Sequence, residues 1–119
     1  MTEPIIDPAA LEKLREVIGG DPEDLAELID EFHAVTPEVL ASMKSAADAN
    51  DFEALRISAH SLKSNSRDFG AVALALSCET LERDCRNGSV DDPVARVSLI
   101  DTQLKEARAA LRETTASSE

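Results

Sequence analysis

The chain has no Trp and no Tyr, and only three Phe among its 119 residues. Its core must therefore be built from Leu, Ile, Val and Ala, a palette that favours helices packed closely in a bundle. Glycine is scarce too, four in all, and nothing matches G-x-x-x-x-G-K-[ST] or any other Gly-rich phosphate cradle. Such a chain has no evident means of binding ATP and phosphorylating itself. Basic residues number twelve against 24 acidic ones, for a formal net charge of -12. That balance argues against nucleic acid or anionic membrane as the main partner, because both call for basic surface. No apolar run approaches the ~20 residues of a membrane span, and no signal-peptide layout opens the chain. The two cysteines, Cys78 and Cys85, fall on one face of one helix, roughly 10 Å apart along its axis and too far to bridge. A soluble, reducing compartment, the cytoplasm, is the expectation.

What is present is helical periodicity. Hydrophobic residues make up 43% of the chain, enough for one globular core at this length. Three Asp-Pro pairs, Asp7-Pro8, Asp21-Pro22 and Asp92-Pro93, read as helix starts. Asp accepts from free N–H groups at a helix N-terminus, and Pro suits the first position, where no N–H is needed. The first helix spans about residues 8–18, with Leu11, Leu14 and Ile18 on one face, and stops at Gly19-Gly20. The second carries apolar spacing from Leu25 to Ala47 and contains Pro37, which predicts either a kink or two helices meeting near Thr36. Asn50 with Glu53 has capping-box spacing ahead of a third helix over about 51–68. Gly70 ends that helix or forms a tight joint. The fourth runs over about 71–86, and the fifth over about 93–112, with Val97, Ile100, Leu104, Ala107 and Leu111 as its stripe. No strand-like alternation and no repeat is visible. The expectation is all-α: an antiparallel up-and-down four-helix bundle with a short extra N-terminal helix. Residues 1–113 form the single domain and 114–119 a disordered tail.

One histidine sits on the wrong side of its helix to be core. Wound at 3.6 residues per turn, the third helix puts Phe52, Leu55, Ala59, Leu62 and Phe69 on one stripe and His60 nearly opposite. Around His60 lie Arg56, Lys63, Ser64 and Arg67, and no acidic residue occurs from Ala54 to Arg67. An exposed imidazole in a local positive patch of an acidic chain marks a place for an anion. An unperturbed imidazole titrates near ~6.5 and is largely a free nucleophile at neutral pH. Lys63, at i+3, lies beside it on the helix surface and would balance an anion held there, with Arg56 and Arg67 extending the field. Ser66 falls on the apolar stripe and reads as structural, its hydroxyl bonded to a carbonyl one turn back.

Other candidates carry no chemistry. His33 lies off the main stripe of its helix without Cys, Asp or Glu in a metal-ligand spacing, and a zinc site would want four ligands. Cys78 and Cys85 behave as small buried hydrophobes. The acids Glu23, Asp24, Glu27, Asp30 and Glu31 read as solvated faces, and the paired Glu-x-x-His of a di-iron bundle is missing. No metal site is expected.

The stretch from His60 to Ala71, H-x-L-K-S-N-S-x-x-x-G-A, followed by Leu74, Cys78, Leu81 and Glu82, resembles the histidine-containing phosphotransfer (HPt) domain family. In that family H-x-L-K-G-x-S-x-x-x-G marks the phosphorylated histidine of a phosphorelay. The resemblance covers most of the chain, weakly in its first and last helices, and favours one bent second helix over two. Ser64 stands where the motif most often has Gly, and Gly70 matches the family's glycine.

The resemblance implies a monomeric carrier, not an enzyme in its own right, that holds a phosphoryl group on His60 between receiver-domain aspartates of response regulators or a hybrid sensor kinase. Lys63 would stabilise the phosphoryl group, Arg56 and Arg67 would add field, Ser64 and Gly70 would allow close approach, and Ile57 would be a docking contact. No cofactor is implied beyond Mg2+ in the partner receiver. Two other readings compete: a helical docking module that binds a receiver or kinase without turning over phosphate, and the dimerisation segment of a sensor kinase. The last wants an acidic residue after the histidine and a proline shortly beyond, whereas Ser61 and Leu62 follow His60 and the next proline is Pro93.

Overall fold

Each Asp-Pro pair does open a helix. The computed structural model describes residues 5–117, and these form five helices with no strand among the described residues. They are α1 Pro8–Val17, α2 Pro22–Asp48, α3 Phe52–Asp68, α4 Val72–Arg86 and α5 Pro93–Ser117. Asp7 and Asp21 accept from the N–H groups of Ala9 and Glu23 at 3.0 and 2.9 Å, and Asp92 accepts from Ala95 at 3.2 Å. α3 departs from expectation. Its cap is Asp51, which accepts from Ala54 at 3.1 Å, while Asn50 closes α2 with a left-handed φ of 52°. A short amide side chain tolerates that conformation, so Asn50 serves the preceding helix.

Residues 114–117 also differ from expectation. The final helix continues to Ser117 where a disordered tail was expected from Thr114, because no Gly or Pro follows Arg112 to stop it. Residues 118 and 119 of that expected tail lie outside the described residues.

α2 through α5 pack in sequence, α5 closes on α2, and α1 lies against α2 and α3. Their shared core contains Met43, Leu55, Leu62, Leu74, Leu81, Ile100, Leu104 and Leu111, all fully buried. Each such side chain contributes roughly 2 kcal/mol by leaving water. No helix among the described residues is long and apolar enough to cross a membrane.

Pro37 does not break α2. Lacking an N–H, it leaves the carbonyl of His33, four residues back, without its helical donor. Arg108 of α5 fills that gap: Nη2 donates to the His33 carbonyl at 3.4 Å and Nε donates to His33 Nδ1 at 3.2 Å. Beside it, the Thr36 hydroxyl donates to the Phe32 carbonyl at 2.7 Å. To accept from Arg108 the His33 ring must be neutral. Burial, and then Arg112 and Arg108, lower its pKa against the opposing pull of Asp30.

Gly70 is the joint between α3 and α4. Its φ is 76°, its N–H donates to the Arg67 carbonyl at 3.1 Å, and the Ala71 N–H reaches back to the Ser66 carbonyl at 2.9 Å. This pair of bonds is a Schellman closure. The Asp7 N–H in turn donates to the Gly70 carbonyl at 2.8 Å. A Cβ on Gly70 would meet the Asp7 carbonyl oxygen at 2.8 Å and the Ala10 Cβ at 2.9 Å. The close approach that Gly70 permits in the structure is to the start of α1.

Two outcomes are expected. Gly70→Ala should cost about 1–2 kcal/mol for the left-handed backbone alone and loosen α1, seen as a lower Tm and faster hydrogen exchange in Pro8–Val17; unchanged exchange there would contradict the joint. At the α2–α5 clasp, Arg108→Met should cost about 1–2 kcal/mol in chemical denaturation, and measurably less in a Pro37→Ala background, where the backbone donor is restored. Because the folded pKa of His33 is depressed, its contribution is complete above the ordinary value of 6.5 and is lost as pH falls through the lower folded value. His33→Gln should therefore flatten the stability profile over that interval.

Candidate functional site

α3 buries Leu55, Ala59, Leu62 and Ser66 and turns His60 outward, 59% of its side chain exposed. The Ser66 hydroxyl donates to the Leu62 carbonyl at 2.6 Å, the structural role its place on the stripe implies. Ile57, Ser61 and Ser64 are exposed around the histidine. Across from this face, α4 buries Leu74, Ala75, Cys78, Leu81, Cys85 and one charged residue, Glu82. Cys78 and Cys85 are both free, and burial pushes the Cys78 thiol up to about 12.

Glu82 is 4% exposed and is bonded by three donors. Lys63 Nζ reaches Oε1 at 2.7 Å. His60 Nδ1 and Arg86 Nη2 share Oε2, at 2.9 and 3.1 Å. The bond from Lys63 holds the Glu82 carboxyl below its ordinary value, burial pulls it up, and His60 adds a further downward push. Glu82 is thus a carboxylate, and a carboxylate can only accept. The proton of the neutral His60 ring therefore sits on Nδ1, and the lone pair sits on Nε2. The outward-turned imidazole, fixed in this tautomer, keeps its unprotonated nitrogen off the carboxylate.

The residues singled out from sequence converge on this face, with Gly70 apart from them at the end of α3. The positive patch, however, is not a bare field. Arg56 is bound to Glu53 at 2.6 Å and Arg67 to Glu79 at 3.5 Å, while Lys63, only 16% exposed, is engaged by Glu82. Two of the three compensating acids, Glu79 and Glu82, come from α4, where an inspection of the third helix alone cannot find them. Arg86 and the role of Glu82 were missed. The signal for Glu82 was present: an acid on an apolar stripe, between Leu81 and Cys85, needs partners to be buried there. Among the described residues no group of His, Cys, Asp and Glu is arranged to hold a metal ion.

Comparison with known proteins agrees with this geometry. The sequence profile of the Hpt domain family matches residues 27–113. The crystal structure of histidine-containing phosphotransfer protein B from Pseudomonas aeruginosa PAO1 superposes with a TM-score of 0.86 at 30% identity, covering 97% of each chain. A search of curated proteins returns no match. The profile spans most of a chain that superposes on that structure over nearly its whole length, and the chain belongs to the Hpt domain family.

Proposed function

We propose that His60 is the residue of this histidine phosphotransfer protein that carries the phosphoryl group, and that Nε2 is the atom that bonds to it. The observation that supports this reading best is the Nδ1 contact to a buried carboxylate, which leaves Nε2 unprotonated and turned to solvent. A receiver domain charged on its own aspartate docks over α3, around Ile57 and Ser64, where small and apolar side chains let it come close. The Nε2 lone pair attacks phosphorus in line with the leaving oxygen. As the N–P bond forms, the P–O bond breaks and its electron pair stays on the receiver's aspartate. The ring, still protonated at Nδ1, becomes cationic, and Glu82 stabilises that charge across the 2.9 Å contact. Return of the N–P electron pair to Nε2 releases the group to a second receiver.

Such a transfer is chiefly positioning and charge neutralisation, which suits one nucleophile on a rigid helix. Mg2+ in this account belongs to the receiver, and the chain acts as a monomer without an ATP site of its own. The cations Lys63, Arg56 and Arg67 temper the approach of two anionic proteins, a chain of net charge -12 and a phosphorylated partner.

His60→Gln should accept no label from radiolabelled, phosphorylated receiver domains while keeping wild-type helicity and Tm, because Gln retains an amide donor for Glu82; a labelled variant would place the group elsewhere. Glu82→Met should fold less stably, by about 1–3 kcal/mol for stranding Lys63, and should slow transfer on the order of tenfold to a hundredfold through loss of ring orientation. Stopped transfer assays on the two proteins check both, and an undiminished rate in Glu82→Met would remove Glu82 from the mechanism.

A further inference from the structure

Lys63 and Arg86 both donate to Glu82, yet the two cations are held very differently. Lys63 is 16% exposed and has Oε1 to itself at 2.7 Å. Arg86 is 62% exposed and shares Oε2 with His60, at the longer distance of 3.1 Å. An ammonium is a single point charge, whereas guanidinium is a fork of five N–H donors, and here Nη2 makes the bond to Glu82. Withdrawing Lys63 would strip a buried carboxylate of its closest counter-charge. Withdrawing Arg86 would break one exposed ion pair of a kind that stabilises little.

We propose that Arg86 is the cation that moves onto the phosphoryl group of His60, while Lys63 stays behind as the resident counter-ion of Glu82. This rests on the reading of His60 as the phosphoryl carrier. Charge balance at Oε2 drives the exchange. In the resting protein that oxygen accepts from His60 Nδ1 and from Arg86. Once Nε2 is bonded to phosphorus with Nδ1–H retained, the ring is cationic and Oε2 is served by it alone. Arg86 then gains more from a dianion than from a carboxylate oxygen already occupied. The sequence resemblance, by contrast, assigns stabilisation of the phosphoryl group to Lys63. Arg86 is reached only through the structure, since α4 carries it one turn beyond Glu82 and on the same face.

The test uses the full chain, labelled with 15N and phosphorylated by phosphoramidate, whose P–N bond breaks as Nε2 bonds to phosphorus and ammonia leaves. Phosphorylation should shift the side-chain nitrogens of Arg86 and leave the Lys63 Nζ resonance in its Glu82-bonded position. Arg86→Gln should lower the fraction phosphorylated at fixed phosphoramidate by roughly threefold to tenfold, the size of one charge-assisted bond less the exposed pair it replaces, with Arg86→Lys recovering part of it. A Lys63 resonance that moves while Arg86 stays still, or an Arg86→Gln chain as fully phosphorylated as wild type, would overturn the division of labour and leave the carrier reading standing. No phosphohistidine on the wild-type chain would overturn that reading and this one together.

Discussion

A carboxylate placed inside a helix interface has to be neutralised by bonded donors or it destabilises the fold. Glu82 meets that requirement with Lys63 and His60 from α3 and Arg86 from its own helix. Lys63 and His60 stand three residues apart, so they share a face of α3 and converge on one acceptor. The same contact therefore performs two tasks. It fixes α4 against α3 at one rotation and height, and it holds the exposed imidazole in one tautomer and one orientation. Stability and ring orientation cannot be separated at this position, because the group that needs partners is the group that orients the imidazole.

The height at which the two helices meet is set at their joint. From Gly70 the chain runs ten residues back to His60 and twelve forward to Glu82, about 15 and 18 Å along antiparallel axes at 1.5 Å per residue. The histidine and the carboxylate consequently arrive at nearly the same level. The Schellman closure through Ser66, Arg67, Gly70 and Ala71 makes the reversal tight, and α1 seals it through the Asp7–Gly70 hydrogen bond. A glycine that lies ten residues from His60 thus acts on it through helix register. At the other face of the bundle, Arg108 repairs the backbone gap left by Pro37 and keeps α2 a single support for α3.

The helices were legible in the sequence because their signals are local. Asp-Pro pairs, apolar stripes and the Gly70 punctuation each report on a few neighbouring residues, and four of the five helices end within a residue or so of where those signals place them. The exposure of His60 followed from the same periodicity. What the sequence concealed is pairwise and remote. Lys63 and Arg67 looked unopposed because Glu82 and Glu79 lie on another helix, whereas the partner of Arg56, Glu53, stands on α3 itself just before the acid-free run. Arg108 could not be matched to Pro37 across more than seventy residues of chain. Spacing does not separate Asn50 from Asp51, because Asn and Asp serve equally at an N-cap; the bond from Ala54 to Asp51 and the left-handed backbone of Asn50 make Asp51 the cap of α3. The run to Ser117 shows that a polar segment is not by itself a stop signal: Thr and Ser propagate a helix less well than Ala does, but none of the three ends one as Gly or Pro would.

The central claim is that Glu82 keeps the proton of His60 on Nδ1 and so leaves Nε2 as the nucleophile. Long-range 1H–15N correlation of the His60 ring, in buffer alkaline enough for a neutral imidazole, tests it directly. The account predicts that Nδ1 is the protonated, pyrrole-type nitrogen in the wild-type chain, and that Glu82→Met returns the ring to the tautomer mixture of a free imidazole. A wild-type ring protonated on Nε2, or a tautomer indifferent to Glu82, would contradict it.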